Sequence, residues 1–172
     1  TFASSTGWTV AGDANTSVTF NSILAMTSPS ISTSTTVTQA VAVAGGDQNV
    51  EHALRVDVER GPVRFRVGTS SGDDNLIAKT DLGKGVHSLA FTPTTTEFHV
   101  QFECLVPYEV KVNSIAVEGA GELTLAADWT AAQLRLLRWA QSGDVIYLAQ
   151  NDYQQRKIER RSTRSWSLVW YE

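Results

Sequence analysis

The chain has 172 residues and a mass of 18.7 kDa, which suits one large domain or a domain with an appended fragment. At 42% hydrophobic and 19% charged it has the balance of a folded globular protein and not of a disordered segment, and no window approaches the roughly 18 uninterrupted apolar residues of a membrane helix. From Asp128 onward seven basic residues stand against five acidic ones, a balance of +2 that leaves −6 for the remainder of the formal −4 and is too small to argue for nucleic-acid binding by itself.

Thr1 to Gly7 lack the basic-then-apolar layout of a signal peptide, and residues 1–46 hold a single charge, Asp13, amid many Ser and Thr. The apolar pairs embedded in that stretch read as β-edge. Val37 with Ala40 to Val43, then Leu54, Val56 and Val58, then Val63, Phe65 and Val67 follow the period of two expected of half-buried strands. Between the last two runs, Glu59-Arg60-Gly61-Pro62 predicts a tight reversal, so residues 52–69 read as a hairpin. Leu76 to Ala78 reads as a short strand. Gly83-Lys84-Gly85 turns the chain into Val86, Leu89 and Phe91, and Pro93 to Thr96 lead to Phe98, Val100 and Phe102. Tyr108 to Val112 continue to Ile115 and Val117, ahead of Gly119-Ala120-Gly121.

Short strands at roughly ten-residue spacing, with no helical pattern between them, predict a mainly β chain built on an antiparallel jelly-roll-like β-sandwich over 1–122. Arg55, Asp57, Arg64 and Arg66 would then point outward as charged cross-strand neighbours. From 123 to 172 the pattern predicts one helix and the start of a second β domain. Thr130 and Gln133 have capping-box spacing, and Ala131 to Ala140 carry helix formers with an apolar stripe, so about three turns are expected over 130–141. Gly143 ends that run, Asp144 to Ala149 reads as a strand, and strand character resumes at Ile158 and at Trp166 to Trp170. With no initiator methionine and a β run reaching Glu172, the chain is expected to be an excerpt of a longer polypeptide.

The ingredients of catalysis are sparse. His52, His87 and His99 each occupy one position of an alternating pattern and read as outward strand residues, while Cys104 reads as a small buried or edge residue. There is no HExxH, no His pair at i and i+4 and no EF-hand loop, and Asp73-Asp74-Asn75 reads as a polar turn before it reads as a calcium loop. No catalytic residue, cofactor or metal ligand is assigned.

Two resemblances add to this reading. The order of elements from Trp8 to Val117, ending in Val112-Asn113-Ser114-Ile115-Ala116-Val117-Glu118, resembles jelly-roll carbohydrate-binding modules. In that family exposed aromatic rings stack on sugars, which makes Trp8, Phe20 and Tyr108 the glycan-stacking candidates of an alternative reading. Residues 129–170 resemble a segment of the tail nozzle (tail tubular protein B type) of short-tailed phages. The likeness is carried by Leu137 to Tyr147, in which Gln141, Ser142 and Asp144 match a "QSADV"-like run, then by Asp152-Tyr153, Arg156-Lys157-Ile158, Arg160 and Trp166. Gln150-Asn151 and Gln154-Gln155 replace that family's His-Pro and Pro-Pro.

The second resemblance implies a non-enzymatic virion component of the tail, assembled with copies of itself and other tail proteins into a ring through which DNA leaves. Arg156, Lys157, Arg160, Arg161 and Arg164 are then expected to face a neighbouring subunit or the DNA channel. Physically, Gln141 and Ser142 suit the carbonyls of a helix end, Asp144 suits a guanidinium, and Tyr147 and Trp166 offer area for burial.

Overall fold

In the computed structural model, residues 2–121 and 123–171 are described. Thr1, Glu122 and Glu172 lie outside them, and with them the expected boundary position at 122 and the last residue of the C-terminal run. Ten strands come first: β1 (Trp8–Gly12), β2 (Ser17–Asn21), β3 (Ile23–Thr27), β4 (Thr35–Ala42), β5 (His52–Arg60), β6 (Val63–Gly68), β7 (Ile77–Leu82), β8 (Gly85–Phe91), β9 (Glu97–Cys104) and β10 (Val110–Glu118). A single helical turn, α1 (Ala131–Leu134), precedes β11 (Arg138–Ser142), β12 (Val145–Gln150), β13 (Tyr153–Arg160) and β14 (Trp166–Trp170).

Two antiparallel sheets face one another, as the alternation predicts. One has the order β1-β4-β9-β6-β7, and the other runs β11-β12-β13-β14-β8-β5-β10-β3-β2. The pairs β3-β10-β5-β8 and β4-β9-β6-β7 are wound as the two halves of a jelly roll. Inward positions from both sheets build one core: Leu24, Met26, Leu54, Val56, Val58 and Leu89 from the larger sheet meet Val37, Phe65, Val67, Leu82, Val100 and Phe102 from the smaller. The Ser/Thr-rich front, read as β-edge, lies at sheet edges, with β1 at one end of the smaller sheet and β2 at one end of the larger.

Three expectations are corrected. Residues 52–69 form no hairpin: β5 pairs with β8 and β10, whereas β6 pairs with β7 and β9, so Gly61-Pro62 carries the chain from one sheet to the other. Period-two alternation gives the buried face of each strand but not its partner, and two successive strands with inward apolar residues satisfy it equally well from opposite sides of a core.

The helix is one turn, not three. Its capping box forms, with Gln133 Oε1 accepting from the Thr130 N–H at 2.9 Å and Thr130 Oγ1 accepting from the Gln133 N–H at 3.4 Å. The apolar stripe finds no surface to cover: Leu134 at its end is 50% and Leu136 beyond it 63% exposed. A helix of that length is marginal without such packing, and residues 138–142 gain ladder bonds by pairing with β12 instead.

His52 and His87 are buried and not outward, because 52, 54, 56, 58 and 87, 89, 91 share the inward phase of their strands. The charged positions behave as expected: Arg55 bonds Glu118, Arg64 Nε lies 2.9 Å from Asp81 Oδ1, and Arg66 Nη2 lies 3.7 Å from Glu103 Oε2, the three arginines half-buried.

The meander β11 to β14 extends the larger sheet past the jelly roll. Trp166 to Val169 of β14 pair with Ser88 to Gly85 of β8. Gly85 has φ +143°, and a Cβ there would run into the Leu168 carbonyl oxygen, so only glycine lets these two backbones approach.

Candidate functional site

The five basic candidates do not make one patch. Side chains alternate along β13, so Arg156 and Arg160 lie on one face of the sheet and Lys157 lies on the other, while Arg164 sits in the loop before β14. Each is bonded within the chain. Arg156, only 5% exposed, lies over the Trp170 ring at 3.8 Å, its Nη2 donating to Asp128 Oδ2 at 3.1 Å and its Nη1 to the Gln154 carbonyl at 3.1 Å. Glu159 takes Lys157 Nζ at 2.8 Å and Arg161 Nη2 at 2.7 Å. Arg161 also donates to Ser167 Oγ and to the Asp81 carbonyl of β7, at 3.1 and 3.3 Å. Arg164 Nε lies 2.7 Å from Glu51 Oε1, and its Nη2 donates to the Gly121 carbonyl at 3.3 Å. Arg161 and Arg164 therefore staple the meander to the jelly roll. Arg156 is enclosed, whereas Arg160 and Arg164 keep 44% and 51% of their side chains exposed beside the partners they already have within the chain.

The nozzle-like motif divides into two groups. Gln141, Asp144 and Trp166 converge with Arg160, Ile146 and Thr163 around a cleft of about 200 Å³. Asp144 meets a guanidinium as anticipated, with Oδ1 3.6 Å from Arg160 Nη1. Gln141 Nε2 donates to the Gly143 carbonyl at 3.1 Å, so it serves the β11–β12 hairpin turn and not a helix end; Gly143 there has φ +57°, which a tight hairpin turn requires. Ser142 is exposed opposite Val145. The second group sits at the β12–β13 turn, where the Asp152 N–H donates to Gln150 Oε1 at 2.8 Å and Gln133 Nε2 donates to the Tyr153 hydroxyl at 3.1 Å, holding α1 against β13.

An exposed apolar surface at the end of the larger sheet was hidden from the sequence. All five residues of β11 are exposed, and Trp139 is exposed over 70% of its surface. Tyr147 and Tyr171 meet edge to face at 5.6 Å, and with Trp139, Leu148 and Gln155 they line a groove of about 320 Å³. The signal was the stripe itself: Leu134, Leu136 and Trp139 read as the buried face of a helix, when they belong to no buried face.

The glycan-stacking candidates are otherwise engaged. Trp8 packs on the core beside Phe2 at 5.3 Å and beside Phe20 and Phe102 at 6.2 Å each. Tyr108 stands in a separate loop with Arg60 over its ring at 5.2 Å and its hydroxyl donating to the Gly61 carbonyl at 3.4 Å.

His52, His87 and Cys104 are enclosed. His87 Nε2 lies 2.9 Å from the Gly83 carbonyl, which can only accept, so that nitrogen carries the proton and Nδ1 accepts from the Ser167 hydroxyl at 2.7 Å. Burial holds His87 down to about 4, reinforced by Arg161 and opposed by the Gly83 carbonyl and Glu159. Both members of this serine–histidine contact are fully buried, and the Ser167 oxygen also accepts from Arg161 Nε, so no substrate atom reaches it. Burial likewise pushes the Cys104 thiol up, away from the reactive thiolate. In the Asp73–Asn75 loop, Asn75 Oδ1 accepts from the Thr69 N–H at 2.9 Å and Asp74 Oδ2 from the Lys79 N–H at 3.3 Å, which are turn bonds. Among the described residues no helix is long and apolar enough to cross a membrane.

No protein-family model matches the chain, and no curated protein matches it.

Proposed function

We propose that the chain is a structural component of a phage virion tail, nozzle-like, which joins copies of itself and other tail proteins in a ring through which DNA passes. The observation that carries this reading is the overhang of the larger sheet: its edge strand β11 is exposed along its whole length and bears Trp139, within the segment that resembles the nozzle family.

An uncovered edge with apolar side chains is a template for pairing with another chain. Burial of such surface contributes roughly 25 cal/mol per Å², and a ring needs two different contact faces on each protomer. The edges available at the far side of the sandwich, β1 and β2, supply candidates for the second face. In this reading the basic residues brace the meander against the jelly roll and leave DNA contact as a passing one, since each is already bonded within the chain.

Sedimentation velocity across a concentration series tests the reading. Reversible association is expected, weakened at least about tenfold, or roughly 1.4 kcal/mol, by Trp139→Glu. A chain that stays monomeric throughout, or association that Trp139→Glu leaves unchanged, overturns it.

A further inference from the structure

We propose that the cleft at Trp166 binds one ring of a neutral saccharide, a ligand site separate from Trp8 and Tyr108. Six residues from successive parts of the meander form it: Gln141 at the end of β11, Asp144 in the hairpin turn, Ile146 in β12, Arg160 at the end of β13, Thr163 in the next loop and Trp166 at the start of β14.

The chemistry of this set is that of a sugar site. A pyranose offers an apolar C–H face and a belt of hydroxyls, so its receptor needs an aromatic face beside clustered donors and acceptors. Trp166 is 36% exposed, and among the described residues it makes no ring–ring or cation–π contact, unlike Trp8 and Trp170. Arg160 and Trp166 are directly opposite in the β13–β14 ladder, which puts the guanidinium beside the indole.

The polar rim is incompletely used. At 3.6 Å the Asp144–Arg160 pair is longer than a hydrogen bond, and both side chains reach solvent, 73% and 44% exposed. Carboxylate oxygens and guanidinium N–H groups therefore stay available to adjacent hydroxyls. Gln141 donates its amide to Gly143 and keeps its carbonyl oxygen as an acceptor. One cation and one anion cancel, which favours a neutral sugar over a phosphate or a uronate.

The rim is also held in place. Arg160 N–H donates to the Asp144 carbonyl at 2.9 Å, Arg161 N–H donates to the Ser165 carbonyl at 2.7 Å, and Arg160 Nε donates to the Ser162 carbonyl at 3.3 Å. At about 200 Å³ the cleft suits a single ring and not a long oligosaccharide. Affinity in the millimolar range fits so small a contact.

Two-dimensional NMR of the ¹⁵N-labelled chain tests this directly, because its five tryptophans give five indole N–H signals. The probes are the methyl glycosides of glucose, galactose, mannose and N-acetylglucosamine, and the corresponding trisaccharides. A saturable shift of the Trp166 indole with at least one of them is expected. It weakens at least about tenfold in Asp144→Ala, at an exposed position that leaves the fold intact, and it is unchanged in Trp8→Ala. Tighter binding of a trisaccharide than of its methyl glycoside also supports the site and assigns it to a polymer. A Trp166 signal that no probe moves, a shift that survives Asp144→Ala, or a shift confined to the Trp8 indole overturns the proposal.

Discussion

His87 of β8 and Ser167 of β14 are joined by a 2.7 Å hydrogen bond, fully buried at the seam where the meander meets the jelly roll. The fold holds His87 neutral, at about 4 against an ordinary 6.5, chiefly by burial. Between those two values the unfolded chain binds a proton that the folded chain refuses, so stability falls as pH falls from 6.5 towards 4 and is flat above. The shift corresponds to a loss on the order of 3 kcal/mol. Urea denaturation at pH 7, 5.5 and 4 reads this slope, which flattens in His87→Gln; an equal slope in both proteins shows that another group sets the acid limit.

The close passage of β8 and β14 at Gly85 makes a second seam test. Gly85→Ala adds a Cβ against the Leu168 carbonyl at a φ that L-residues rarely adopt, and a loss of about 2 kcal/mol or more is expected in chemical denaturation. Gly83→Ala, two residues earlier, meets open space and changes stability by less than about 1 kcal/mol. Equal effects at the two positions contradict this packing.

Arg156 is a buried cation bonded within the chain. Its guanidinium is sandwiched between Trp170 and Asp128, and removing it in Arg156→Ala is expected to cost about 2 kcal/mol through lost stacking and packing. Asp128 is 66% exposed, so Asp128→Asn costs less than about 1 kcal/mol. Thermal unfolding of the two variants gives the order; a larger loss in Asp128→Asn contradicts it.

Much of the fold was legible because burial imposes a period of two. Leu54, Val56 and Val58, or Phe98, Val100 and Phe102, mark inward faces whatever their strands pair with. The same phase contains His52 and His87, whose polar rings suggest solvent but find carbonyl and hydroxyl partners inside. Partners were not legible: Gly61-Pro62 serves a hairpin or a crossing between sheets equally, and the choice depends on β8, β9 and β10, far along the chain. Helix propensity alone overextends the helix over 130–141, because no surface exists to receive the stripe. Trp166, Asp144 and Gln141 were visible as separate matches along the chain, but their convergence required the turn at Gly143-Asp144 and the pairing of β13 with β14.

The most direct measurement is electron cryomicroscopy of the chain at concentrations where it associates. Closed rings are expected, with Trp139, Tyr147 and Tyr171 buried where one protomer meets the next. Particles that remain single protomers, or rings in which β11 faces solvent and another edge makes every contact, contradict a role in assembly for this strand.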